Sequence, residues 1–463
     1  MKPRIEPKRG MFILDTLWGV PIVLLVLALL LTGCGGGVGT VDNAIAQDIA
    51  QEIQAALSAF DVSGAAFALV WPDGDYTAGF GVSDLTSRQP VTSDSRFAIA
   101  SAIKPAVAHW MDERVQSRLI RWEMPLSEVW PSLDLGDAGQ VTLGQAVGQT
   151  SGYPREDWAW IGRDMDAADL AGLVRQSVPI APAGRLFTYH NVLFALALRG
   201  VESYTGQMFP LSPPDVIGYD RTMDGRRISL PETAHQRGVM SVVLDAGLSA
   251  AESVGVMREL LADDTIFTAE TVNAAGASCC PLGSDIRYGR GMFVEHYAGV
   301  TLWLHDGDGL GFTAAMMLDP SSGMGMFIAV NQGGADAFVH AMRYAALERI
   351  YGLSASGAVA MRGRWTRETA SQRDLAQRSI APVRSDNAFA GEYGSQVRVK
   401  WDAEDGLTLY RGVFAWRLRS FAPQYALFDH GPLIGQPVDF ICVDGMRRIV
   451  SGSTVLAEGG LCR

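Results

Sequence analysis

Between residues 44 and 60, Ile45, Ile49, Ile53 and Leu57 recur at every fourth position, the spacing of an amphipathic helix. The pattern changes at Gly64. Gly64 to Trp71 is an apolar run, Asp73-Gly74-Asp75 is a turn, and Tyr76 to Val82 returns, which predicts a hairpin. Helical periodicity predicts further helices at 101–120, 167–177, 191–204, 250–262 and 335–351. Strand-length runs fill 291–297, 300–305, 313–318 and 325–331. Strands therefore bracket a largely helical middle. That order suits an α+β fold, an antiparallel sheet flanked by helices plus a helical subdomain, over residues 44–355. From 356 to 386 the periodicity weakens and polar residues, arginine and glycine dominate, which reads as a linker. Beyond it the period becomes two. Val397 and Val399 alternate with Arg398 and Lys400, and Leu407 and Leu409 alternate with Thr408 and Tyr410. Further short runs follow as far as residue 457, so 387–463 is expected to form a small all-β C-terminal domain, a barrel or sandwich.

The N-terminus follows another logic. Lys2, Arg4, Lys8 and Arg9 form a basic segment, Thr16 to Gly33 is almost continuously apolar, and the stretch ends in Leu31-Thr32-Gly33-Cys34. This resembles a bacterial lipoprotein signal. The resemblance implies removal of residues 1–33, lipidation of Cys34, and a Gly-rich tether over 34–43. The alternative is an uncleaved membrane anchor. Either one puts the rest of the chain outside the cytoplasm. The expected location is the bacterial cell envelope, with the protein lipid-anchored and facing the periplasm. In that oxidising setting Cys442 and Cys462, both in the C-terminal domain, are the expected disulfide. The adjacent Cys279 and Cys280 stay unassigned.

Composition narrows the function. The chain has 463 residues, more than one core usually spans. A hydrophobic share of 48% against 19% charged residues is globular rather than disordered. The net charge is −12 and no basic block is present, so no nucleic-acid partner is expected. No Cys/His spacing suggests zinc and no H-E-x-x-H occurs, so neither a metal nor another cofactor is expected.

Of the 38 cationic residues only four are lysines: Lys2, Lys8, Lys104 and Lys400. A chain that writes its cations as arginine still writes lysine in the apolar stretch "FAIASAIKPAVAHW". Arginine keeps its proton in a protein, whereas a desolvated lysine can give it up. Ser101 lies three residues before Lys104, on the same helix face. Pro105 is tolerated only in a first turn, which puts the helix start near Ser101. A neutral amine there can take the serine proton, and the alkoxide can attack a carbonyl. The competing reading is an N-cap serine beside a snorkelling lysine.

More residues converge on the first reading. Tyr189-His190-Asn191 forms Y-x-N after a turn, and His305-Asp306-Gly307 opens a Gly-rich turn between two strands. In chain order these are S-x-x-K, Y-x-N and H-x-G. The chain resembles the serine β-lactamase and penicillin-binding-protein-like superfamily, nearest its class C, esterase and D-aminopeptidase branch. Connecting segments such as "QTSGYP", "YGRGMF" and "GFTAAMMLDPSSGMGMFIAVN" carry the likeness too. The resemblance implies Ser101 as acyl-accepting nucleophile and Lys104 with Tyr189 as the general-base system. It implies Asn191 as partner of Lys104 and of the substrate amide. His305 and Gly307 would line the site, with the backbone N–H groups of Ser101 and Asp308 as oxyanion hole. The expected activity is hydrolysis of an ester or amide bond in a small molecule or peptide. The alternatives are a β-lactam or peptidoglycan-peptide hydrolase of the same family and a binding or sensor module without turnover. Asp306 and Asp308 stand where penicillin-recognising members bind a carboxylate, so neutral esters or amine-bearing amides are expected to fit better. "FAGEYG" and "DGLTLY" resemble the lipocalin-like domain that some members append.

Overall fold

Strand β1 (Gly64–Trp71) is buried along its whole length. Its side chains alternate between two packed layers. Ala65, Phe67 and Leu69 join Ile53 and Leu57 of helix α1 (Asn43–Ala59) and Phe338 and Met342 of helix α6 (Asp336–Ile350). Ala66, Ala68 and Val70 face the other way, toward Met257 and Leu260 of helix α5 (Ala250–Ala262). A strand buried on both faces loses its polar alternation, which is why this segment reads as an unbroken apolar run.

The computed structural model describes residues 41–463 except 164, 231–237, 276, 380–388, 395, 404–405, 413, 423, 432, 453 and 463. The signal segment, Cys34 and residues 34–40 of the tether lie outside the described residues. Around β1 runs an eight-stranded antiparallel sheet. Its other members are β2 (Gly74–Gly81), β3 (Val272–Asn273), β4 (Ser284–Tyr288), β5 (Phe293–Tyr297), β6 (Val300–Gly309), β7 (Phe312–Asp319) and β8 (Met324–Val330). The order is β2-β1-β8-β7-β6-β5-β4-β3. Helices α2 (Lys104–Gln116), α3 (Ala167–Gln176) and α4 (Asn191–Thr205) belong to the helical part between β2 and β3. The α+β architecture expected from the strand and helix order is the observed one.

The sheet also holds two strands outside the runs read from the sequence, β3 and β4, and two further elements differ from expectation. The segment expected as a linker contains a 23-residue helix, α7 (Ser356–Arg378). It packs against α6 and is tied to α1 by side chains: Arg362 pairs with Glu52 at 3.0 Å, and Trp365 Nε1 donates to the Ala59 carbonyl. Its buried residues, Ala358, Met361, Thr369 and Ala376, form a stripe too narrow to stand out among its charges. The predicted helix at 101–120 is shorter. A 3₁₀ turn at Ala100–Ile103 precedes α2, which ends at Gln116.

The C-terminal part is an antiparallel meander of eight strands in sequential order, β9 (Gly391–Tyr393), β10 (Val397–Asp402), β11 (Gly406–Arg411), β12 (Phe414–Ala422), β13 (Tyr425–Phe428), β14 (Pro437–Val443), β15 (Met446–Ser451) and β16 (Thr454–Leu461). It curls into a barrel-like shape around Val399, Leu409, Trp416, Phe428 and Ile449. Its ends meet: a Cβ added at Gly459 would lie 2.4 Å from the Gly394 nitrogen. Cys442 and Cys462 are disulfide-bonded, as the sequence reading expected, and Cys279 is paired with Cys280. Polar contacts form one part of the junction between the barrel and the larger domain. Arg419 pairs with Asp224 at 2.9 Å, His430 Nδ1 lies 3.3 Å from Asp220, and Met223 N donates to the Asp429 carbonyl at 3.0 Å.

Candidate active site

Ser101 sits on the 3₁₀ turn that leads into α2, with Pro105 in that helix's first turn. The preceding Ala100 has φ +44°, a left-handed conformation that a residue with a Cβ adopts only under constraint. Strand β6 supplies part of that constraint by running close against the turn. A Cβ at Gly307 would lie 1.9 Å from the Ile99 carbonyl oxygen, so only glycine lets the strand come this near. The H-x-G glycine is thus a spacing device for the nucleophile turn.

Lys104 is 0% exposed. Its Nζ lies 2.7 Å from Ser101 Oγ and donates to Asn191 Oδ1 at 2.9 Å. Burial pulls the amine well below the ordinary lysine value of 10.5; Asp157 opposes this shift and Arg155 reinforces it. Asn191 opens helix α4 just after Tyr189, which is how Y-x-N brings both side chains to one place. The Tyr189 ring centre lies 4.8 Å from Lys104 Nζ. Burial raises the Tyr189 phenol well above the usual tyrosine range, and the neighbouring Ser101 hydroxyl opposes this. The four motif residues read from the sequence therefore meet.

His305 is 2% exposed on β6 and lines the same cavity. Its Nδ1 faces the Asp306 carbonyl at 2.6 Å and so carries the proton, which leaves Nε2 an acceptor. Among the described residues that Nε2 has no hydrogen-bond partner. Burial lowers the imidazole pKa to about 3, with Lys104 adding to the effect, so His305 is neutral.

The cavity holds about 460 Å³ and is lined by Ser101, Tyr189, Asn191, His305, Asp308 and Asp336, among others. Here one sequence expectation needs correction. Of the two acidic side chains expected beside the cleft, Asp306 is ion-paired with Arg343 at 2.8 Å and hydrogen-bonded with His340 at 2.6 Å, both on α6. The second free acid is Asp336 at the start of α6. Burial pushes the Asp308 carboxyl up to about 8, helped by the charge of Asp336, and burial raises Asp336 as well. Asn191 contacts Lys104 as expected, and its Nδ2, expected toward the substrate amide, donates to Asp157 at 3.1 Å. Asp157 and Arg155 belong to the segment following "QTSGYP" and no spacing rule singles them out; their signal is spatial, 34 residues from Asn191.

Residues 49–211 match the family model described as Beta-lactamase, a stretch that contains Ser101, Lys104, Tyr189 and Asn191 and ends before His305. Two curated relatives are unguisins hydrolases. The hydrolase ungD of Aspergillus violaceofuscus (strain CBS 115571) is 23% identical over 172 residues, 35% of this chain and 30% of that protein. Its counterpart ungD' of Aspergillus campestris (strain IBT 28561) is 22% identical over 338 residues, 62% of this chain and 61% of that protein. The chain thus spans less than two thirds of the length of either. Among solved structures, the octameric penicillin-binding protein homologue from Pyrococcus abyssi superposes with a TM-score of 0.55 at 14% identity, covering 89% of this chain and 99% of that one. Over residues 49–211 the chain is similar to the β-lactamase family of serine hydrolases, and the resemblance carried by the motifs holds there.

Proposed function

We propose that this β-lactamase-like domain hydrolyses an ester or amide bond through an acyl-enzyme on Ser101. The observation that carries the reading is a wholly buried amine 2.7 Å from the serine oxygen. A neutral Lys104 has one lone pair, and with an N–H directed at Asn191 that lone pair is left for the Ser101 proton. The alkoxide attacks the carbonyl, and the negative charge moves to its oxygen. Backbone N–H groups of Ser101 and Asp308 receive it, a contribution of about 3–4 kcal/mol per donor in comparable sites. As the intermediate collapses and its bond to the leaving group breaks, Tyr189, kept protonated by burial, hands its proton to the leaving group and is reprotonated by Lys104, which returns to the neutral amine. Water then repeats the sequence to release the acid.

The substrate class follows from charge. Asp308 and Asp336 line the cavity where a carboxylate would otherwise bind, and His305 lines it too. Burial raises both carboxyls, so each ionises most readily when a cationic amine sits beside it, whereas a second carboxylate in the cavity would raise them further. Amides or peptides with a free amine, and neutral esters, suit this wall better than β-lactams or peptides ending in a carboxylate. That the two Aspergillus relatives are by name hydrolases supports turnover over a silent sensor.

A fluorophosphonate probe tests the chemistry. Wild type should take one adduct on Ser101 and Ser101→Ala none. The same pair assayed on p-nitrophenyl esters, D-amino-acid p-nitroanilides and nitrocefin ranks the substrates. No adduct on Ser101, or nitrocefin outpacing the other two, would sink the reading. The chain's N-terminus supports an envelope location through lipidated Cys34; membrane extraction of wild type against Cys34→Ala checks it, and equal solubility would count against it.

A further inference from the structure

Asp157 sits on a three-residue 3₁₀ turn, Asp157–Ala159, outside every motif. Its Oδ1 accepts from Asn191 Nδ2 at 3.1 Å, and its Oδ2 carries an ion pair with Arg155. The Arg155 guanidinium lies 5.3 Å from the Tyr189 ring centre. One turn therefore reaches both Asn191 and Tyr189. The next residue, Trp158, turns to the C-terminal barrel. Its Nε1 donates to the Leu456 carbonyl at 3.0 Å, and its own carbonyl accepts from Arg411. Its ring stands 5.6 Å from Trp416 and 6.2 Å from Phe428, with the Arg411 guanidinium 4.6 Å from its centre. Four residues on, the backbones touch: a Cβ on Gly412 would lie 2.0 Å from the Gly162 carbonyl oxygen.

We infer that Asp157 is a positioning residue that fixes which end of the Asn191 amide faces Lys104, and that the C-terminal barrel holds Asp157 in place by gripping Trp158. The inference rests on the Ser101–Lys104 chemistry proposed above. A primary amide has an acceptor end and a donor end of nearly the same shape. With Oδ1 toward Lys104, the amide accepts a lysine N–H and leaves the amine's lone pair for Ser101. With Nδ2 toward Lys104, it would donate to that same lone pair and occupy the base. An ionised carboxylate only accepts, so Asp157 pins Nδ2 on its own side and forces the productive orientation. The carboxylate also opposes the lowering of the Lys104 pKa. Asp157 thus sets both the direction of the relay and the proton affinity of its base. The barrel, on this account, is part of the catalytic frame.

The test uses the full chain and p-nitrophenyl acetate. Asp157→Asn keeps the shape but presents an amide that can pair either way round. It should lower kcat by about tenfold, the effect of losing a charge-assisted hydrogen bond, with KM little changed. Its acid limb in kcat/KM should move to lower pH, because the charge that favoured protonated Lys104 is gone. Trp158→Ala should lower kcat by a similar factor with circular dichroism and melting behaviour of a folded protein, and Trp158→Phe, which keeps the ring contacts, should restore most of it. If Asp157→Asn keeps the wild-type kcat and acid limb, or if Trp158→Ala turns over normally, the inference is overturned while fluorophosphonate labelling of Ser101 leaves the acyl-enzyme reading standing. If wild type takes no label on Ser101, both fall together.

Discussion

Lys104 Nζ stands 2.7 Å from Ser101 Oγ although no part of the lysine reaches solvent. An ammonium ion there would have given up its hydration for two short contacts, so the neutral amine is the form this place favours. Lys104→Met keeps the volume and removes the base. It should lower kcat on p-nitrophenyl acetate by about a hundred- to ten-thousandfold, the usual range for a lost general base. Steady-state kinetics on the purified variant decide this; turnover within a few-fold of wild type would remove the lysine from the mechanism.

The same burial has a signature in stability. The folded-state pKa of Lys104 lies below its unfolded value of 10.5, so between those two values the unfolded chain binds more protons. Stability contributed at this site is therefore fully present above pH 10.5, and it is lost as pH falls toward the folded pKa. Relative to Lys104→Met, wild type should gain melting temperature as pH is raised from 7 toward 10. Parallel melting curves for the two proteins across that range would contradict it. Activity moves in the same direction: kcat/KM should rise with pH as Lys104 loses its proton, and the lowered pKa lets that rise finish earlier than an ordinary lysine would.

Asp308 and Asp336 give the amine preference a direct assay. Asp308→Asn and Asp336→Asn should each raise KM for D-alanine p-nitroanilide by about tenfold, the scale of a lost charged hydrogen bond. KM for p-nitrophenyl acetate, which carries no charge, should stay within about twofold of wild type, a negligible free-energy change. Equal effects on both substrates would mean that the carboxylates shape the cavity without reading charge.

Gly307 offers a test that needs no assumption about charge. Its replacement by alanine puts a methyl group 1.9 Å from the Ile99 carbonyl oxygen, which is backbone and cannot swing aside. Either β6 or the nucleophile turn has to move, at a cost of about 1–3 kcal/mol for an overpacked site. Gly307→Ala should label slowly with fluorophosphonate and melt at lower temperature than wild type. Wild-type labelling would show that the strand and the turn are not in register as described.

Much of this site could be read from the chain because its chemistry sits in short spacings. Ser101 and Lys104 share one helical turn, and Tyr189 and Asn191 flank a helix start, so local geometry alone brings each pair together. What stayed hidden depends on contacts between distant segments. Asp306 and Asp308 look alike in sequence, yet Arg343 and His340 bond only the first. Asp336 begins a helix about thirty residues beyond His305 and gives no local sign that it points toward the cavity. Asp157 bonds Asn191 across 34 residues. Helix α7 was missed for another reason: it is tied to α1 by charged and indole contacts, which leave little apolar periodicity to detect.

The junction of β9 with β16 bears on how the molecule treats its neighbours. A sheet that ends in open strands offers unpaired N–H and C=O groups to any other extended chain, including another copy of itself. Here the Gly394 and Gly459 backbones approach closely enough to exclude even a methyl group, so the first and last strands shield one another. An all-β appendage of eight short strands can therefore sit beside the cavity without offering other extended chains a sheet to join.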